Sequence, residues 1–142
     1  MPQFSALLPV FVQDEALHRV LESINHGESG CVVAPAGARI PLIASMAQRR
    51  DKTIYVVVPT GREAEETASA LRAWVDDVEV FPSWETLPHE RLSPQVDTMA
   101  QRIAVLRRLI HPQSGDEHAG ALSVVVIPVR ALMQPIIHGI AD

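Results

Sequence analysis

Short apolar runs and amphipathic stretches alternate along most of this chain. Ile54-Tyr-Val-Val-Val58 is an unbroken, mainly β-branched run, the signature of a strand covered on both faces and hence of a parallel sheet. Cys31–Ala34, Val78–Phe81 and Ser123–Ile127 read as three more short buried strands. Between them, apolar residues recur three and four positions apart. Leu17, Val20, Leu21 and Ile24 mark one face of a helix over Asp14–Ile24; Ile40, Ile43, Ala44 and Ala47 mark a second. A third, opened by Pro59-Thr-Gly-Arg62, turns Ala64, Ala68, Leu71 and Val75 inward. The fourth, Pro94–Leu109, has the clearest ends. Ser93 suits the N-cap, Pro94 the first helical position where no amide hydrogen is needed, and Asp97 the positive end of the dipole. Val96, Met99, Ala100, Ile103, Leu106 and Ile110 give its predicted apolar stripe, Arg107 and Arg108 its basic end, and His111-Pro112 its stop. A last helix begins over Arg130–Met133 and is cut short by Pro135. Residues 1–12 read as a loosely ordered start. Residues 113–120, polar and without an apolar anchor, read as a flexible loop.

Four buried runs alternating with helices imply βαβ units and right-handed crossovers. The expected fold class is α/β: a three-layer parallel sheet with helices on both faces, in one lobe spanning 1–142. Loops after strand C-termini gather on one edge of such a sheet, where ligands bind. Pro35–Arg39, Pro59–Arg62, Pro82–Ser93 and Pro128–Arg130 are therefore expected to meet.

The stretch Phe81–Pro94 crowds Pro82, Pro88 and Pro94 around Trp84 and alternating charges. Proline fixes φ and donates no amide hydrogen, so this segment continues neither a helix nor a central strand. An ordered, stiff loop is expected, because Trp84 and Leu87 carry apolar surface worth about 25 cal/mol per Å² on burial. Trp84 is either a core plug or an interface residue.

Composition narrows the function. The chain has 142 residues, 47% hydrophobic and 20% charged, which suits one domain with a normal core. A net charge of -5 and a pI near 5.6 argue against nucleic-acid binding by this chain alone, since phosphate affinity needs clustered Lys and Arg. Arg49-Arg50-Asp51-Lys52, and Arg102 with Arg107-Arg108, read as solvated helix ends. Direct DNA contact through Arg62, Arg91 and Arg130 on the loop edge is a weaker reading. The single Cys31 has no disulfide partner, which fits a reducing compartment, and reads as a small buried hydrophobe. The six histidines stand apart, without metal-ligand spacing. The apolar patch Ala6–Val12 is broken by Pro9 and is too short to span a bilayer. A cytoplasmic, membrane-free chain is expected.

The loop Pro35–Arg39 stands where a P-loop NTPase carries its phosphate cradle, between first strand and first helix. That cradle needs two glycines, a Lys for the β/γ-phosphates and a hydroxyl for Mg²⁺. The best register puts Val33 and Ala38 at the glycines, Arg39 at the lysine and Ile40 at the hydroxyl residue. Arg39 is either an anion contact at a helix N-terminus or a surface residue. Ser83, Glu85 and His89 share a loop, but no nucleophile elbow supports a triad. The pattern is that of a nucleotide-binding scaffold without its chemistry, and no cofactor is expected in this chain. The competing reading is a divergent NTPase or helicase lobe, in which Arg39 replaces the lysine.

Phe81-Pro82, the block Trp84-Glu85-Thr86-Leu87-Pro88, the helix start Ser93-Pro94-x-x-Asp97 with Arg102 and Leu106, and Val124–Gln134 together resemble the N-terminal region of the bacterial transcription-repair coupling factors, the Mfd family. The resemblance runs from about Gly30 to Gln134 and is strongest over Phe81–Leu109. It implies a lobe similar to the first domain of UvrB, a RecA/helicase-like sheet whose phosphate loop has decayed; Ala38, Arg39 and Ile40 match that decay. It further implies a large parent that displaces stalled RNA polymerase by ATP-driven translocation on DNA and recruits UvrA. ATP and Mg²⁺ would be used by a motor downstream of this chain, and the UvrA-binding module would follow this lobe. Under that resemblance the chain is a fragment and not itself an enzyme, and Trp84, Glu85, Pro88, Arg91, Arg62 and Arg130 are its candidate interaction or structural residues.

Overall fold

The structure is a computed structural model, and it describes residues 2–49, 52–85, 95–113 and 120–136. Three strands, β1 (Ile54–Val58), β2 (Val78–Val80) and β3 (Val124–Pro128), form an all-parallel sheet in the order β1-β3-β2. Six helices accompany them among the described residues: α1 (Leu8–Val12), α2 (Glu15–Asn25), α3 (Arg39–Gln48), α4 (Gly61–Arg72), α5 (Val96–Ile110) and α6 (Val129–Leu132). The last strand in sequence is the central one. Ile54 pairs with Val124 on one side and Val78 with Val124 on the other. All five residues of β3 are buried, as an unbroken apolar run in a parallel sheet requires. The Phe81 amide donates to the Val126 carbonyl at 2.9 Å and carries the β2 ladder one residue further.

Alternation along the strands divides the core in two. Val124 and Val126 join Val58, Val78 and Val80 against Ala44 and Ala47 of α3 and Ala64, Ala68 and Leu71 of α4. The small residues let the helix backbones approach the sheet closely. Val125, Ile127 and Phe81 face the other way, onto Val105 of α5 and Ala131 of α6. Helices thus cover both faces, with α4 bridging β1 to β2 on one and α5 returning from β2 to β3 on the other. Right-handed crossovers require that exchange of faces when the path reverses direction. Local chemistry fixes the helix starts. The Asp14 carboxylate accepts from the Leu17 amide at 3.0 Å, and the Thr60 hydroxyl from the Glu63 amide at 3.1 Å.

Four expectations need correction or restatement. Cys31–Ala34 is not a strand: it is unladdered and exposed, with Val33 at 97%. Four apolar residues ask for burial, but a strand also needs a neighbouring edge to bond, and this one has none among the described residues. Cys31 is accordingly exposed rather than buried. Residues 5–12, read as loose, form a 3-10 turn and α1, with Pro9 inside the first turn of the helix, where it is tolerated. Leu8 is fully buried, and Phe4 and Phe11 pack on Trp74 at ring-centroid distances of 5.4 and 5.6 Å. The inward face of α5 is only partly the predicted stripe, of which Leu106 packs on the second core. Thr98, Arg102 and Val105 are buried, while Val96, Met99 and Ile110 are exposed. The proposed cap Ser93-Pro94, and most of the loop 113–120, lie outside the described residues.

Candidate functional site

At the C-terminal edge of the sheet the chain leaves β2 as Phe81-Pro-Ser-Trp-Glu85, and α5 holds this segment from one side. Arg102 is only 2% exposed. Its guanidinium carbon lies 4.1 Å from the Phe81 ring centroid and 4.4 Å from that of Trp84, and Nη1 donates to the Pro82 carbonyl at 2.6 Å. A planar cation between two aromatic rings, bonded to the carbonyl between them, fixes three consecutive features of the loop. Burial lowers the affinity of this guanidinium for its proton, although an arginine remains charged in a protein. One turn earlier, the Thr98 hydroxyl donates to the Glu85 carboxylate. That bond, opposed by burial and assisted by the backbone amides of Glu85 and Gln95 and the charge of Arg130, holds Glu85 below the ordinary carboxylate pKa.

The segment after β3 holds the same loop from the other side. Gln134 accepts from the Trp84 amide through Oε1 at 2.8 Å and donates to the Trp84 carbonyl through Nε2 at 3.3 Å. One side-chain amide thereby meets both backbone groups of one residue, as a paired strand would. Arg130 Nη2 adds a long contact of 3.5 Å to the Glu85 carbonyl. The loop is an ordered bridge between α5 and α6, and Trp84 sits in it half-buried.

The second part of the edge is the start of α3. Ala36–Ala38 form a 3-10 turn and α3 opens at Arg39 with no side-chain cap. Ile40 packs against the first-face core and Pro41 is buried, so neither offers an oxygen to a metal. Arg39 Nη1 lies 3.4 Å from Glu63 Oε1 of α4, both groups facing solvent. A carboxylate here opposes a phosphate at the helix start and already faces the only cation of the loop 35–39. Arg62 pairs with Glu66 at 2.8 Å on the outside of α4.

Among the sequence-derived candidates, the structure brings Trp84, Glu85 and Arg130 together. Ala38, Arg39, Ile40 and Arg62 stand apart from them at the starts of α3 and α4, and Pro88 and Arg91 lie outside the described residues. Arg102 is a correction: read as part of a solvated basic end, it is the buried anchor of the loop. Thr98 and Gln134 were also missed. Thr98, Arg102 and Val105 repeat at helical spacing, a signal concealed by the stronger apolar stripe beside it. Among the described residues no group of three or more His, Cys, Asp or Glu could hold a metal, and no helix is long and apolar enough to cross a membrane.

No family model matches the chain. It is 50% identical over 106 residues to the transcription-repair-coupling factor of Mycobacterium tuberculosis, an alignment covering 73% of this chain and 8% of that protein. It is 28% identical over 94 residues to the transcription-repair-coupling factor of Escherichia coli, covering 66% of this chain and again 8% of the relative. The Haemophilus influenzae protein of the same name matches at 28% over 99 residues, with 69% and 8% coverage. The chain therefore spans only a small part of the length of its curated relatives.

Proposed function

From its kinship with the transcription-repair-coupling factors, we propose that this chain is a non-catalytic scaffold and interaction lobe of such a factor. It is similar to the first lobe of UvrB, with a degenerate phosphate loop. The observation that carries this reading is the pairing of Arg39 with Glu63 at the start of α3. In a working cradle a lysine reaches the β/γ-phosphates and a hydroxyl meets Mg²⁺. Here an arginine faces a carboxylate, and the next residue is an isoleucine turned into the core. Such a site offers a triphosphate one arginine that already faces a carboxylate.

In this reading the lobe's work is mechanical. Its sheet and the double-sided clamp on Phe81–Glu85 hold other parts of the parent in register. The parent acts in the cytoplasm as an ATP-driven DNA translocase that displaces stalled RNA polymerase and recruits UvrA through the module that follows. ATP and Mg²⁺ belong to its motor elsewhere in the polypeptide.

Titration calorimetry of the chain with Mg-ATP tests this directly, and the expected result is no heat of binding. Micromolar affinity would establish instead a divergent nucleotide-binding lobe. In that case Arg39→Ala, which removes its one candidate phosphate contact, should abolish the signal.

A further inference from the structure

Among the described residues, the second face of the sheet is only partly covered. Val125, Ile127 and Phe81 lie beneath α5 and α6, but the two β1 residues on that side, Tyr55 and Val57, remain 56% and 50% exposed. Parallel strands belong to sheets covered on both faces, and the opposite side of β1 obeys that rule by packing Val56 and Val58 on the first core. The uncovered side forms a shallow apolar hollow of about 230 Å³ whose lining includes Tyr55, Val57, Leu106, Leu132 and Ile136.

The wall of this hollow is equally unfinished. At 100° per residue, Met99, Ile103, Leu106 and Ile110 fall within a 60° arc of α5, at positions i, i+4, i+7 and i+11. Leu106 reaches the hollow, whereas Met99 and Ile110 stand exposed and Ile103 is only half-buried. A ridge of this spacing is what a second helix packs against. The floor is sheet and the wall is helix, so the missing body is the neighbouring helix of the same layer.

We propose that an apolar-faced helix from elsewhere in the same coupling-factor polypeptide lies beside α5 and over β1, completing the second helical layer. The occupant is assigned in cis because the alignments span 8% of the relatives' length, leaving ample chain to supply it. Ile136, just after α6, also lines the hollow. A tethered segment needs far less intrinsic affinity than a separate protein, since its effective concentration reaches about millimolar. This inference rests on the chain being part of such a longer polypeptide and not on an inert phosphate loop. Nucleotide binding by the chain would leave it standing.

The test uses the full-length factor and the 142-residue chain in parallel, each with Val57→Lys or, separately, Ile110→Lys. Both side chains are half-exposed here, so in the 142-residue chain each variant should shift the thermal midpoint by no more than about 2 °C. In the full-length factor each should raise amide exchange of residues 54–58 at least about tenfold, by expelling the covering helix. Unchanged exchange there would overturn the proposal. So would a 142-residue chain that forms a dimer dissolved by either substitution, which would assign the face to a second copy. A midpoint loss above about 10 °C in the 142-residue chain would make these positions part of the lobe's own core and overturn it equally.

Discussion

Replacing Arg102 by alanine tests whether the loop Phe81–Glu85 is held by one buried cation. The substitution removes two ring contacts, at 4.1 and 4.4 Å, worth about 1 kcal/mol each. It also removes the bond to the Pro82 carbonyl, which as a hydrogen bond from a charged donor is worth about 2 kcal/mol. Two buried methylenes of the stem add about 0.8 kcal/mol apiece. Against this stands the desolvation of the guanidinium, recovered on its removal, which offsets about half of the gross loss. The net expectation is a destabilisation of about 3 kcal/mol, or roughly 10 °C in midpoint for a domain of this size. Urea denaturation measures the first and a thermal scan the second. In a Trp74→Phe background, Trp84 fluorescence should shift to the red as the ring leaves the guanidinium. Arg102→Lys keeps the charge but loses the flat stacking surface, and should fall about midway. A loss below about 1 kcal/mol with unaltered Trp84 emission would refute the anchor role.

Glu85 gives a pH dependence of definite sign. Its folded-state pKa is lowered, chiefly by the Thr98 hydroxyl, so its contribution is fully present above the ordinary carboxylate pKa and is lost as pH falls through the lower folded value. Glu85→Gln should lower stability at neutral pH toward its acid value, and so flatten the acid limb of a stability-against-pH curve. Gln134→Ala removes both bonds to the Trp84 backbone and should cost about 1–2 kcal/mol, with faster hydrogen exchange at the Trp84 amide as the local readout. Asp77 adopts φ +57, where a short polar side chain is tolerated and a β-branched one is not. Asp77→Val should therefore cost about 1–2 kcal/mol more than Asp77→Asn, measured by chemical denaturation.

The parts of the fold legible in the sequence are those in which one residue pattern decides one outcome. Ile54–Val58 and Val124–Ile127 are mainly β-branched runs that form strands, although Tyr55 and Val57 of the first stay exposed, and α4 is a run of alanines and Leu71 at helical spacing behind a threonine cap. What stayed hidden depends on neighbours. The strand order β1-β3-β2 is a choice among pairings that local pattern does not rank. Cys31–Ala34 has the apolar content of a strand but no adjoining edge among the described residues. The orientation of α5 is not legible because Met99 and Ile110 of its longest apolar stripe stand exposed, while a buried Thr98 and Arg102 face the loop. At the site, Trp84 and Glu85 were evident from proline crowding. Gln134, 50 residues away from Trp84 in sequence, carries no local sign of its role.

Because the strand synthesised last lies in the middle, β1 and β2 have no hydrogen-bonded contact with each other until β3 arrives. Ile54 must wait 70 positions for Val124, and Val78 must wait 46. A ribosome that has delivered α4 and α5 has still made no sheet, only helices with apolar flanks. The sheet can therefore close only late, once residues 124–128 have emerged to lie between β1 and β2.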